Sequence, residues 1–220
     1  MRAVGGQEGI ICIDKYMTQY IVFVGAFVQL AGIYIYVKET IKGNTKPNRV
    51  TWLMWSIAPL IATSAALSDG VRLAVLPVFM AGFAPLLVFI VSFANKKSYW
   101  RLGTFDYICG TLSILALILW WITKEPVVAI IFALSADFFA AIPTIIKSWK
   151  YPETESVEAY STGVFNSLTS FFALRTFAIS EIAFPIYLVI LNSSLMLIIY
   201  RSRFIKNKNK KVLNENELEK

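Results

Sequence analysis

The sequence predicts an all-α membrane protein with seven transmembrane helices, arranged as two parallel three-helix repeats joined by a linker helix. Three observations predict it. Of the 220 residues, 57% are hydrophobic and only 16% charged, with a mean hydropathy of +0.61, which leaves too little polar surface to cover a water-soluble globule. The charged residues gather in short intervals, and the runs between them approach the length that crosses roughly 30 Å of hydrocarbon. The first three and last three of those runs also repeat one another at a nearly constant offset.

Taken in order, residues 1–17 carry Arg2, Glu8 and Asp14 with no compact apolar stretch, so they read as an N-terminal extension rather than a cleaved signal peptide. The first repeat, residues 18–95, contains the candidate spans Tyr20–Val37, Val50–Leu67 and Leu73–Ala94. A loop and the linker helix Tyr107–Thr123 occupy residues 96–125. The second repeat, residues 126–203, contains Val127–Ile146, Tyr160–Leu174 and Ile182–Tyr200, and residues 204–220 form a basic tail. None of the runs alternates apolar with polar residues, as strands of an outer-membrane barrel do, so a helical bundle is expected.

Seven spans put the loops after helices 1, 3 and 5 on the same side as the tail. That side collects 16 of the 21 lysines and arginines, among them Lys42, Lys46, Arg49, Lys96, Lys97, Arg101, Lys147 and Lys150. Arg2, Lys15, Arg72, Lys124 and Arg175 fall on the other side. Cationic loops stay in the cytoplasm, so the chain is expected in a plasma (inner) membrane with its N-terminus outside and its C-terminus inside. The net charge of +7 is then a matter of topology and anionic lipid, and no nucleic-acid partner is expected.

The repeat shows in three places. Leu76-Pro77-Val78-Phe79 matches Phe184-Pro185-Ile186-Tyr187 at an offset of 108, Tyr36-Val37-Lys38 lines up with Ile145-Ile146-Lys147 at 109, and Ala66-Leu67 with Ala173-Leu174 at 107. Three spans end on the opposite face of the membrane, so the odd fourth helix lets the second unit start in the orientation of the first. The repeats are therefore parallel, related by an axis along the membrane normal.

Enzyme chemistry has little to stand on. The chain has no histidine, which removes the usual general base and the usual nitrogen ligand of metals, and Cys12 and Cys109 cannot form a CxxC pair. Cys109 lies in an apolar run, where a cysteine behaves as a small hydrophobe. No phosphate-binding glycine loop or nucleophile elbow is present, so no catalytic residue, cofactor or metal is expected.

In its 3+1+3 layout over about residues 18–203 the chain resembles the SWEET and PQ-loop superfamily. The sharpest local match is Ala141-Ile142-Pro143-Thr144-Ile145-Ile146-Lys147, followed by Glu155-Ser156-Val157 and Ser161, similar to that family's first-helix signature. The first repeat departs from it: Ile33 or Tyr34 stands where proline would be, and Lys46-Pro47-Asn48-Arg49-Val50-Thr51 replaces the inner loop. Of the family's four helix prolines, Pro59 and Pro143 have counterparts and are the candidate hinges. The resemblance implies a transporter that moves a small polar solute, sugar-like or amino acid, by alternating access between the two bundles. Its alternative is a non-transporting receptor or sorting protein of the KDEL-receptor type, which cationic residues in the pocket would distinguish.

Several residues could carry such a function. Asp137 stands at the middle of the fifth span, the one acid deep in any helix. A carboxylate there costs at least about 2.5–3.5 kcal/mol, so it calls for a cavity, a partner or a proton. Two roles fit: a proton-coupling switch, or a structural carboxyl bonded across a helix interface. Its neighbours Ala133, Ala140, Ala141 and Thr144 are small and leave room on that face. Asn192 falls where the resemblance places one of a pair of substrate-binding asparagines, but its repeat mate is Ala84. Gln29 shares a helix face with Gly25, Gly32 and Tyr36, which suits packing or a cavity wall. Helices 2 and 6 offer Trp55 and Ser56 against Phe165, Asn166, Thr169 and Ser170, aromatic and hydrogen-bonding groups suited to a small polar solute. Trp52, beside Arg49, reads as an interface anchor, as do Trp120 and Trp121. The expected partners are thus a small polar solute, protons and the lipid bilayer, with a homo-oligomer left open.

Overall fold

The computed structural model describes residues 21–68, 76–123, 126–173 and 179–218. The N-terminal extension and the five cations assigned to the outer side, Arg2, Lys15, Arg72, Lys124 and Arg175, lie outside the described residues.

Seven α-helices occur among the described residues: α1 (Ile21–Lys42), α2 (Arg49–Ser68), α3 (Leu76–Val91), α4 (Thr104–Ile122), α5 (Pro126–Lys150), α6 (Val157–Thr169) and α7 (Ile179–Leu218). Four of them contain segments long and apolar enough to cross a membrane: Ile21–Lys42, Thr104–Ile122, Ile130–Lys150 and Ile182–Arg201. The chain is an integral membrane protein built as a helical bundle. Large apolar side chains stand outward on these helices, Phe27 and Trp121 being 75% and 80% exposed, as expected where lipid rather than water is the solvent. Each helix corresponds to one predicted span, but α1, α5 and α7 run on past their apolar stretches. Charged residues end a membrane span without ending a helix, and α7 in particular continues through its basic stretch to Leu218. The short sixth helix begins earlier than expected, at Val157, and finishes in a 3-10 turn, Ser170–Ala173.

The helices pack pairwise: α3 packs on α1 and α2, and α7 on α5 and α6. α1 also meets α6 and α2 meets α5, while α4 lies against α5 and α2. The α1–α6 contact is close because α1 offers glycines. A Cβ on Gly32 would come within 2.8 Å of the Glu158 carbonyl oxygen and into the Thr162 side chain, and one on Gly25 would strike Thr169. Small residues substitute here for the hydrophobic drive that is missing between helices in lipid. The small face around Asp137 is likewise filled by a neighbour: Ala140 and Ala141 are buried, and Thr144 donates to the Thr51 hydroxyl on α2 at 3.0 Å.

At the cation-rich end the loops are tied down by specific bonds. Asn48 caps α2, its Oδ1 accepting from the backbone N–H groups of Val50 and Thr51, while its Nδ2 donates to Asp106 on α4 at 2.7 Å. Arg49 reaches the C-terminal end of α3, donating to the Ser92 hydroxyl and carbonyl oxygens and stacking 4.0 Å over the Phe93 ring. The residues Lys46 to Thr51 therefore join α2 to α3, α4 and α5.

Candidate functional site: a cavity between the two halves

A cavity of about 670 Å³, open space at its mouth included, lies among six of the helices. Its wall takes Gln29 and Ile33 from α1, Trp52, Trp55 and Pro59 from α2, and Ala81 and Pro85 from α3. The rest comes from Asp137 on α5, Tyr160, Gly163 and Asn166 on α6, and Phe184 and Asn192 on α7. Six helices contribute and α4 contributes no lining residue.

Asp137 is half-buried at the centre of α5. Its Oδ2 accepts a hydrogen bond from the Tyr187 hydroxyl at 2.7 Å, and its backbone carbonyl accepts one from Trp55 Nε1 at 3.3 Å. These bonds join α5 to α7 and to α2. Proline at 59, 85 and 185 interrupts α2, α3 and α7, and each removes a backbone donor along the cavity helices. On α6, Asn166 is 6% exposed and its Oδ1 has no hydrogen-bond partner, as is true of Gln29 Oε1 on α1. Asn192 donates from Nδ2 to the Leu188 carbonyl of its own helix at 2.9 Å, and its Oδ1 lies over Gly163, where a Cβ would come within 2.7 Å of it.

Of the residues singled out in the sequence, Gln29, Trp55, Asp137, Asn166, Asn192 and Pro59 meet in this cavity. Ser56 does not: it is buried, donates to the Leu53 carbonyl at 2.7 Å, and sits where α2 closes on Gly82 of α3. Pro143 is buried inside α5 and is no part of the wall. Phe165 is exposed on the outer face of α6, and Thr169 is turned to Gly25 at the α1–α6 contact. Trp52 requires a correction. Expected as an interface anchor, it is 3% exposed, with Tyr36, Trp55 and Tyr160 rings around it at 5.0, 5.5 and 6.4 Å. Its position near the end of α2 suggested the membrane surface, but the closed loops above it make that end part of the core.

Two groups escaped the sequence reading. Tyr187, the partner of Asp137, lies on another helix 50 residues away, and its helix position alone gives no sign of the pairing. The other is a buried ion pair at the cation-rich end of the cavity. Lys147 and Glu155 are 2% and 5% exposed; the ammonium bonds to the carboxylate and to the Lys46 carbonyl oxygen. Glu155 Oε2 also accepts from Tyr36 at 2.8 Å and from Tyr160 at 3.0 Å, and Trp100 lies 5.1 Å from the ammonium. Lys147 counted in the sequence as one loop cation among many; here it is held in the core, paired with Glu155 and bonded to the Lys46 carbonyl. This network links α1, α5, α6 and the loop before α2 and closes the cavity at that end.

Among the described residues no cluster of three or more acidic or cysteine side chains gathers to hold a metal. Comparison with family models, with curated proteins and with solved structures finds no match to this chain.

Proposed function

We propose that the protein is a membrane transporter for a small polar solute, working by alternating access between one bundle of α1–α3 and another of α5–α7. The observation that carries this reading is the cavity between the halves, walled by those six helices and not by α4. A linker is needed to invert the chain and has no reason to touch the solute. The resemblance to SWEET and PQ-loop proteins, and the third helix of each half touching both of its fellows, support the same reading. Trp55, Asn166, Asn192 and Gln29 are the proposed solute contacts, Asp137 the proton-coupling group, and Pro59 and Pro143 the hinges. The basic end of the bundle is proposed to face the cytoplasm of a cell whose plasma membrane holds the protein.

In this conformation the cation-rich end is shut. Opening it requires the Lys147–Glu155 pair and the two tyrosine bonds to separate as the halves rock, while the opposite end closes over the solute. A receptor of the KDEL-receptor type gains no support, because no lysine or arginine among the described residues lines the cavity.

The test is uptake into proteoliposomes, with and without a pH gradient, by the wild type and Asp137→Asn, across sugars and amino acids. Gradient-driven uptake abolished by the substitution is the expected result. Uptake indifferent to both leaves a facilitator with a structural aspartate, and the absence of uptake of any solute overturns the transporter reading.

A further inference from the structure

The charge of the cavity is one-sided. Among the described residues Asp137 is the single carboxylate of its wall, and no lysine or arginine lines it. The two ion pairs among the described residues, Lys42–Glu39 and Lys147–Glu155, leave Asp137 out. The donors nearest the carboxylate are already committed: Trp55 Nε1 to the Asp137 carbonyl, the Tyr187 hydroxyl to Oδ2, and the Tyr160 hydroxyl to Glu155. Asn192 Nδ2 is held by the Leu188 carbonyl and the Ser167 hydroxyl by that of Gly163. Among the buried polar atoms of the wall, the amide oxygens of Gln29 and Asn166 have nothing to accept from, and Trp52 Nε1 is the one donor with nothing to donate to. A negative group with surplus acceptors and an indole beside it attracts a positively charged guest, because ring faces and carboxylate oxygens draw the same sign of charge.

We propose that the transported solute is an organic monocation, whose charged group sits between the Asp137 carboxylate and the Trp55 indole, and that this cation and a proton exclude one another at Asp137. The proposal rests on the transporter reading and names its substrate class. A half-buried carboxylate in the middle of a membrane span is costly to leave unpaired. A proton neutralises it in the empty cavity and the cation in the loaded one, so each loading releases a proton and each unloading takes one up. Among the described residues the neighbours of α5 meet Asp137 with uncharged groups, α7 with Tyr187 and α2 with Trp55. From α4, Ser113 donates to the Ala136 carbonyl at 2.7 Å.

Paired probes that differ only in charge test it. The full-length protein in lipid nanodiscs is titrated, by tryptophan fluorescence, with choline against neutral dimethylbutanol and with benzylammonium against benzyl alcohol. Each cation is expected to bind about tenfold or more tightly than its neutral partner, with an affinity that weakens as the pH falls and the proton competes. Asp137→Asn should erase the difference between each cation and its neutral partner, and Asp137→Glu should keep it, which separates lost charge from lost fold. In proteoliposomes an inward choline gradient should drive protons outward, read by a trapped pH dye. Equal binding of cation and neutral partner, or a preference that survives Asp137→Asn, overturns the proposal. Uptake of neutral sugars without cation preference overturns it too but leaves the transporter standing; movement of no solute at all removes the transporter reading itself.

Discussion

Gly163 and Gly32 show how differently single positions depend on their surroundings. A methyl group on Gly163 would meet the end of the Asn192 side chain, which can swing away. Gly163→Ala is therefore expected to change stability by less than about 1 kcal/mol, while displacing the Asn192 amide within the cavity and lowering solute uptake several-fold; thermal unfolding in detergent and the transport assay separate the two effects. At Gly32 the added atom meets the Glu158 backbone oxygen at 2.8 Å, which cannot move without moving α6. Gly32→Ala should cost about 1–3 kcal/mol through this overpacking, seen as a lower unfolding midpoint. Near-equal midpoints for the two variants would contradict the packing described for the α1–α6 contact.

At the level of elements, the ion pair between α5 and the turn before α6 has the largest effect. Removing one partner strands a buried charge, so Lys147→Met and Glu155→Gln should each destabilise the protein by about 3–5 kcal/mol, while the double substitution recovers a large part of that loss. Additive losses in chemical denaturation would show that the two side chains act independently. Loss of the pair should also loosen the closed end of the cavity, so the double variant is expected to admit water-soluble thiol reagents to Trp52→Cys from the cation-rich side, where the parent chain does not. The loop before α2 works by capping. Asn48→Ala removes both the cap on α2 and the bond to Asp106, with an expected loss of about 1–2 kcal/mol.

Across the whole molecule, 16 of 21 cations on one side predict a fixed orientation in the membrane. Single cysteines introduced by Lys220→Cys and Lys124→Cys, in a chain whose own cysteines are replaced by serine, should label from opposite faces of sealed vesicles, the first only from the cytoplasmic face. Labelling of both from one face would mean that the number of crossings between them is even, contrary to the seven-helix layout.

What the sequence determined by itself is the class of protein, the number of helices, and the presence of one acid at mid-helix. Length and hydropathy are local properties that lipid reads directly. The gathering of Gln29, Trp55, Asp137, Asn166 and Asn192 in one cavity was decided by tertiary structure, as were the departure of Ser56 and Phe165 from it and the burial of Trp52. In water, an apolar stripe tells which side of a helix faces inward; in a bilayer both sides are apolar, so close packing sets the rotation of each helix. Gly25 and Gly32 against α6, and Gly82 against α2, are where that packing is decided. The Tyr187–Asp137 and Lys147–Glu155 pairs belong to the same category, since a partner for a polar group is a matter of distance across helices, and charge along the chain tells only on which side of the membrane it starts.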